Sequence, residues 1–155
     1  MSAKAHATPR TPSCRKSLLT DRARFRPTPS ELTRPFWQAA ARRVLVRPLC
    51  TQCGGSFFPP EVCCPECLAE DWTWAESSGD GSVYSYTVCH RAPEPGFDPP
   101  YVLAIVDLAE GWSMLSNVVG CDPAVVRIGM PVRVAWQPLD HEIVLPVFEP
   151  AGATA

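Results

Sequence analysis

The sequence predicts a mainly β protein, in which an N-terminal helix and a zinc ribbon precede a five-stranded barrel of the OB-fold type. Eighteen prolines in 155 residues argue against long helices, because proline breaks a helix interior. Two cysteine pairs with C-x2-C spacing lie in the first half of the chain. From Trp72 onward, short alternating runs count as five strands with one short helix between the third and fourth, which is the order of the OB fold.

Charge divides the chain into a basic start and an acidic remainder. Residues 1–48 contain eleven basic and two acidic residues, a net charge of +9, whereas residues 49–155 contain three basic and fourteen acidic residues, a net charge of −11. An acidic body is a poor match for a nucleic-acid-binding protein, which needs cations against phosphates. Residues 1–30 are basic and rich in proline, so we expect a flexible leader. The alternative is short helical pieces around residues 18–25 that order against a partner.

No apolar run has the length of a membrane span or of a signal-peptide core. The longest runs, such as residues 101–106, are strand-sized and far short of the ~18 residues needed to cross a bilayer. We therefore expect a cytoplasmic protein without a membrane partner. In that compartment the eight cysteines are expected to be metal ligands or free thiols before they are disulfides.

Residues 33–44 are the best helix candidate. Thr33 can cap the helix, and Pro35 falls in the first turn, where its missing N–H costs nothing. Apolar side chains recur there at three- and four-residue spacings, at Phe36, Trp37, Ala40, Ala41 and Val44. Two bulky aromatic side chains on so short a helix must be buried, either in the protein's own core or against a partner.

The remainder predicts short strands. Residues 44–49 form the first ribbon strand, residues 77–81 a turn or bulge, and residues 121–125 a helical turn capped by Asp122. Six extended runs follow the ribbon, at residues 72–76, 82–90, 101–108, 112–119, 131–137 and 141–148. The five-strand count takes the first two, on either side of the turn or bulge, as one strand. Alternation in the second run places Tyr84, Tyr86 and Val88 on one face of that strand.

The paired cysteines predict one structural zinc ion. Each C-x2-C turn can present two thiolates to one ion, and two such turns complete the tetrahedron that zinc accepts. The predicted ligands are Cys50, Cys53, Cys64 and Cys67. Cys63 is left out, because three residues rather than two lie between it and Cys67. Four thiolates leave no open position for a substrate, so the site should be structural rather than catalytic.

The remaining ionisable residues form no catalytic pattern. Cys89 and His90 are adjacent on a predicted strand, where neighbouring side chains point to opposite faces and cannot pair without a bulge. Phosphate-loop, dinucleotide-binding and nucleophile-elbow motifs do not occur. The residues alone therefore favour a binding or accessory module over an enzyme, and predict no catalytic residue.

An ordered series of motifs over residues 33–150 resembles a known family. The matching stretches are Pro35-Phe36-Trp37, Cys50-x2-Cys53-Gly54, Phe58-Pro59-Pro60, Cys64-Pro65-x-Cys67, Gly79-x-Gly81-x-Val83-Tyr84-Ser85-Tyr86-Thr87, Pro99-Pro100-Tyr101-Val102, Leu115-Ser116-Asn117-x-Val119-Gly120, Ile128-Gly129-Met130-Pro131-Val132 and Leu145-Pro146-x-Phe148. Together they resemble the zinc-ribbon plus OB-fold family associated with acyl-CoA enzymes.

This resemblance implies a rubredoxin-like zinc ribbon and an accessory role. Such proteins pair with a thiolase-superfamily subunit, which is a thiolase, an acyltransferase or a steroid side-chain retro-aldolase, and some hold part of the acyl-CoA in a channel. The implied assembly is a hetero-oligomeric acyl-CoA lyase or transferase complex. By position, Phe36 and Trp37 lie near the acyl path. Glu61 stands where many members have arginine, and Leu68 replaces a usual glycine.

The expected organisation is a leader at residues 1–30, the helix and first ribbon strand at 31–48, the ribbon at 49–70, the barrel at 71–150 and a tail at 151–155. A rival interpretation is an OB-fold and zinc-ribbon protein that binds nucleic acid, with Tyr84, Tyr86 and Trp112 stacking on bases. A third is a stand-alone enzyme, which the missing catalytic groups disfavour.

Overall fold

The computed structural model of the chain describes residues 25–93 and 96–152, so most of the expected leader lies outside the described residues. Within these ranges the structure has one α-helix, α1 (Arg34–Ala41), and one 3₁₀ turn, Pro123–Val125. The strands are β1 (Leu45–Cys50), β2 (Trp72–Ser77), β3 (Asp80–Cys89), β4 (Tyr101–Leu108), β5 (Ser113–Val118), β6 (Pro131–Pro138) and β7 (Val144–Pro150). Neither described helix has the length and apolarity needed to cross a membrane.

Helix α1 starts as predicted but ends three residues earlier. After Ala41 the chain turns through Arg43, whose φ is +60°. The Arg43 amide donates to Ala40 O at 2.8 Å, and the Val44 amide donates to Ala39 O at 3.0 Å. This is the Schellman arrangement, which satisfies the last carbonyls of a helix and stops it.

Thr33 precedes α1, but its side chain does not cap the helix amides as expected. Its backbone is already helical, with φ −92° and ψ −10°, whereas a capping side chain reaches the first amides from an extended backbone. The Thr33 hydroxyl instead accepts a hydrogen bond from the Ser30 amide at 2.9 Å. Asp122 does cap as predicted, since its carboxylate accepts from the Ala124 amide at 2.9 Å.

The ribbon contains a two-stranded antiparallel sheet of β1 and β2, with Leu45 opposite Ser77 and Cys50 opposite Trp72. Sequence reasoning counted the barrel strands from Trp72 onward, whereas the run that begins there pairs with β1 and stands outside the barrel. The barrel proper begins at Asp80. Local alternation alone could not distinguish the two, because a strand's partner is set by contacts far along the chain.

Five strands form a closed barrel in the order β3-β4-β5-β7-β6. The 3₁₀ turn falls between β5 and β6, the third and fourth barrel strands, as the OB-fold order predicts. A β-bulge at Tyr84 shifts the register between Val83 and Ser85. Tyr86 pairs with Ala104, whereas Tyr84 is the extra residue of the bulge, so the strict alternation expected through Tyr84, Tyr86 and Val88 is broken there, although both tyrosines are exposed.

Helix, ribbon and barrel share a core through a row of aromatic rings. The Phe36 centroid lies 5.2 Å from that of Trp37 and 5.1 Å from that of Phe58, a residue of the ribbon loop. Phe58 in turn lies 5.6 Å from Trp112 of the barrel. Aromatic pairs at these separations stabilise beyond their buried area. The row holds α1 and the ribbon loop against the barrel.

Candidate functional site

Four cysteine side chains converge at one end of the ribbon. The Sγ atoms of Cys50, Cys53, Cys64 and Cys67 all lie within 4.8 Å of one another. Cys50 Sγ is 3.6 Å from Cys67 Sγ, and Cys53 Sγ is 3.7 Å from Cys64 Sγ. A tetrahedral ion with metal–sulfur distances of ~2.3 Å requires sulfur separations of about 3.8 Å. The sulfur positions therefore suit a tetrahedral thiolate-bound ion.

The two cysteine turns are built alike. The Gly54 amide donates to Cys50 O at 3.0 Å, and the Leu68 amide donates to Cys64 O at 2.9 Å. The residue after the second cysteine has a positive φ in both turns, +74° at Gly54 and +60° at Leu68. Each turn thus aims two sulfurs at one point. The sequence signal of the second turn is weaker, because leucine occupies a position that favours glycine.

Backbone amides surround the sulfurs and change their acidity. Hydrogen bonds from the Cys53 and Gln52 amides lower the pKa of the Cys50 thiol to about 7, against the burial that raises it. The Gly55 amide lowers the pKa of Cys53, but the Cys67 thiol and partial burial outweigh it and raise that pKa to about 12. Thiols this close cannot all ionise unless a cation neutralises them, and a divalent metal supplies that charge.

The cluster sits over a small apolar core of its own. Cys50 and Cys64 are buried with Phe57, whereas Cys53 and Cys67 face solvent. Phe57 contacts Trp72 edge-to-face, with their centroids 5.9 Å apart. A core this small cannot stabilise the ribbon loops by itself, and small folds with so little core commonly depend on a structural metal ion.

The structure separates the two aromatic residues expected near an acyl path. Phe36 is 4% exposed and belongs to the main core. Trp37 packs against the edge of that core and keeps part of its surface open. Of the pair, Trp37 is therefore the one placed to contact another molecule.

The other singled-out residues lie apart from the cysteine cluster. Cys89 is half-buried at the end of β3, and His90 follows it in an exposed position. Tyr84 is 61% exposed on the barrel, but Trp112 is 3% exposed and has no face available for stacking on a base. Glu61 is exposed on the ribbon.

Sequence reasoning missed a hydrogen-bonded carboxylate. Glu110, in the turn between β4 and β5, accepts from the Ser77 hydroxyl at 2.5 Å and from the Ser78 amide at 2.7 Å. Partial burial raises the pKa of Glu110, but these hydrogen bonds outweigh it and lower that pKa to about 2. The partners stand more than 30 residues apart in the chain, so no local motif could have revealed them.

Comparison with known families agrees with this architecture. Residues 37–73 match the family model described as ChsH2, rubredoxin-like zinc ribbon domain, and residues 74–137 match that described as ChsH2, C-terminal OB-fold domain. A DUF35 domain-containing scaffold protein of Methanothermobacter thermautotrophicus is 35% identical over 115 residues, which are 73% of this chain and 86% of that protein. The chain belongs to the DUF35 family. The resemblance and the fold class expected from the sequence are confirmed.

Two further similar proteins bear on function. A solved structure described as Ltp2-ChsH2(DUF35) aldolase has a chain 43% identical to this one with a TM-score of 0.74, and the match covers 81% of this chain and 98% of that one. A probable enoyl-CoA hydratase alpha subunit of Thermomonospora curvata is 47% identical over 117 residues, 75% of this chain. The match spans 37% of that relative's length, so the relative contains much that this chain does not match.

Proposed function

We propose that this DUF35 chain is a non-catalytic accessory subunit that binds a thiolase-superfamily enzyme and helps hold or channel its acyl-CoA thioester. The observation that carries this proposal is the match to nearly the whole ChsH2(DUF35) chain of an aldolase complex. The enoyl-CoA hydratase name of a second relative supports CoA thioester chemistry. The partner supplies the catalytic groups, and this chain supplies part of the surface around the acyl group.

Partner binding is tested by co-expressing the full chain with the Ltp2 component of the related aldolase and with a panel of thiolase-superfamily subunits. We expect at least one pair to co-elute in size-exclusion chromatography with a micromolar or lower Kd. Octanoyl-CoA should then bind the complex more tightly than it binds the isolated chain. Turnover of acyl-CoA by the isolated chain, or no complex with any subunit of the panel, would contradict the proposal.

The non-catalytic role makes a separate prediction about the adjacent Cys89 and His90. Cys89→Ala and His90→Ala should each leave the turnover of the assembled complex within about tenfold, below the loss expected for a general base. Co-elution of each variant with the partner is the control on assembly. A loss of several thousandfold without loss of assembly would place catalytic chemistry on this chain.

We also propose that the four clustered cysteines hold one structural zinc ion. Cys64→Ser should release the metal, since the Cys64 side chain is fully buried within the sulfur cluster. Cys63→Ser is the matched control, because Cys63 is its chain neighbour but not a member of the cluster. Metal analysis should find about one zinc per chain in the native protein and the control. Full zinc in Cys64→Ser would overturn the ligand assignment.

Nucleic-acid binding is the less supported alternative. Tyr84 and Tyr86 are exposed enough to stack on bases, but the third expected platform, Trp112, is buried. The net charge of −11 over residues 49–155 also opposes the approach of phosphates. A gel shift of fluorescent single-stranded oligonucleotides at low and high salt separates the two functions. Tight, salt-sensitive retention of the oligonucleotide would favour the alternative.

A further inference from the structure

The ribbon sheet joins the barrel through a very short connection. Strand β2 ends at Ser77 and β3 begins at Asp80, so only Ser78 and Gly79 lie between them. Gly79 has a φ of +79°, which favours glycine. A short segment containing such a residue is a natural hinge, unless contacts from the rest of the molecule hold it.

The Glu110 carboxylate makes those contacts from the turn between β4 and β5. One of its oxygens accepts from the Ser77 hydroxyl and the other from the Ser78 amide, at 2.5 and 2.7 Å. The Ser77 hydroxyl oxygen also accepts from Trp112 Nε1 at 3.3 Å. Hydrogen bonds to an ionised carboxylate are about twice as strong as neutral ones. The Glu110 side chain therefore binds both Ser77, the last residue of β2, and Ser78, the first residue of the connection.

The barrel holds the other half of the connection through Gly79. The Val134 amide of β6 donates to Gly79 O at 2.8 Å. A Cβ added to Gly79 would lie 2.2 Å from Val134 Cγ1, so the backbone there is in close contact with β6. Both linking residues are thus bound to the barrel, one through Glu110 and one through β6.

We propose that Glu110 is a clamp that fixes the orientation of the zinc ribbon on the barrel. Without it, the packing of β1 on the barrel core and the contacts of Gly79 with β6 would remain, but Ser77 and Ser78 would lose their hydrogen bonds to Glu110, so only the Gly79 half of the connection would be held. The clamp makes ribbon and barrel one preformed surface. Its use in partner docking rests on the proposed function, whereas the clamp itself is a property of the isolated chain.

The test measures the relative orientation of the two units in the isolated, zinc-loaded full chain. Residual dipolar couplings of backbone amides should fit one alignment tensor for ribbon and barrel in the native protein. In Glu110→Ala the couplings of the ribbon amides should become smaller and should fit the barrel tensor less well than in the native protein. Exchange of the Ser78 amide should accelerate about tenfold or more, because its charged acceptor is removed. Glu70→Ala, an exposed ribbon carboxylate, is the matched control and should behave as native.

A second variant keeps the test decisive if Glu110→Ala fails to fold. Ser77→Ala removes the hydroxyl that links Glu110 to Trp112 and leaves the Ser78 amide contact, so it should give a smaller change in the same direction. A single tensor and native Ser78 exchange in a folded Glu110→Ala protein would overturn the clamp. That result would not contradict the proposed binding of a partner. Conversely, failure to bind a thiolase-superfamily subunit would not contradict the clamp, because the couplings are measured on the isolated chain.

Discussion

The residue after the second cysteine of each ribbon turn is forced into a left-handed backbone conformation. Gly54 takes it without a side-chain penalty, whereas Leu68 takes it with a φ of +60°. For a residue with a Cβ that conformation costs roughly 1–2 kcal/mol. Leu68 is also 74% exposed, so burial returns little of that cost. The second turn is therefore less stable than the same turn would be with glycine at position 68.

Replacing this leucine isolates the backbone cost. Leu68→Gly should raise the free energy of unfolding of the zinc-loaded protein by about 1 kcal/mol, since glycine adopts positive φ freely. Leu68→Ala is the control, because it removes the exposed side chain but keeps a Cβ. Chemical denaturation at fixed zinc concentration provides the measurement. Equal stability of the glycine and alanine variants would show that the backbone at this position is unstrained.

Helix α1 carries two neighbouring aromatic residues whose roles the structure divides. Phe36→Ala should lower the free energy of unfolding by about 3 kcal/mol, because a buried ring leaves a cavity in the shared core. Trp37→Ala should instead weaken partner affinity, by about thirtyfold if the residue anchors the interface at ~2 kcal/mol. Denaturation and titration against the partner measure the two effects. Unchanged partner affinity of Trp37→Ala would show that Trp37 is not part of the docking surface, which would then have to lie on the barrel.

The ribbon–barrel connection should respond to acid through Glu110. Its folded pKa of about 2 lies below the ordinary value of 4.5, so the ionised form is the one that stabilises the fold. The contribution is complete above pH 4.5 and is lost as the pH falls toward 2. The difference in Tm between native protein and Glu110→Gln should therefore shrink over that interval. A constant difference would show that the carboxylate charge contributes nothing.

Sequence reasoning succeeds for most elements with a local signal, the Thr33 cap and the end of α1 excepted, and fails where distant contacts decide. Pro35, the Asp122 cap and the cysteine spacing each act within a few residues, and all three were predicted. The bulge at Tyr84 and the pairing of Trp72 with Cys50 depend on neighbouring strands, so alternation alone misses the break at Tyr84 and assigns residues 72–76 to the wrong sheet. The bonds of Glu110 to the connection were missed for the same reason.

The whole molecule combines two cores of unequal size. The main cluster takes side chains from α1, β1 and the barrel, whereas the ribbon cluster has only three buried residues, Cys50, Phe57 and Cys64. Two of those three are proposed metal ligands. The barrel should therefore fold without metal, and the loops of the ribbon should not.

Metal removal tests this division. Treatment with a strong zinc chelator should collapse the amide signal dispersion of residues 50–71, while signals from β3 to β7 keep their positions. Added zinc should restore the original spectrum, which is the control for irreversible thiol oxidation. If residues 50–71 keep native signals when metal analysis finds no zinc, the thiol cluster and its apolar contacts are sufficient to fold the ribbon.

Closure of the barrel limits how another protein can recognise it. Most strands of a closed sheet have neighbours on both sides, but β5 meets β7 at a single pair, Val118 opposite Phe148. Another open edge lies along β2, whose single partner among the described strands is β1. Main-chain pairing between subunits is therefore favoured at these two places, and recognition by the rest of the barrel must rely on the shape and chemistry of its outward side chains.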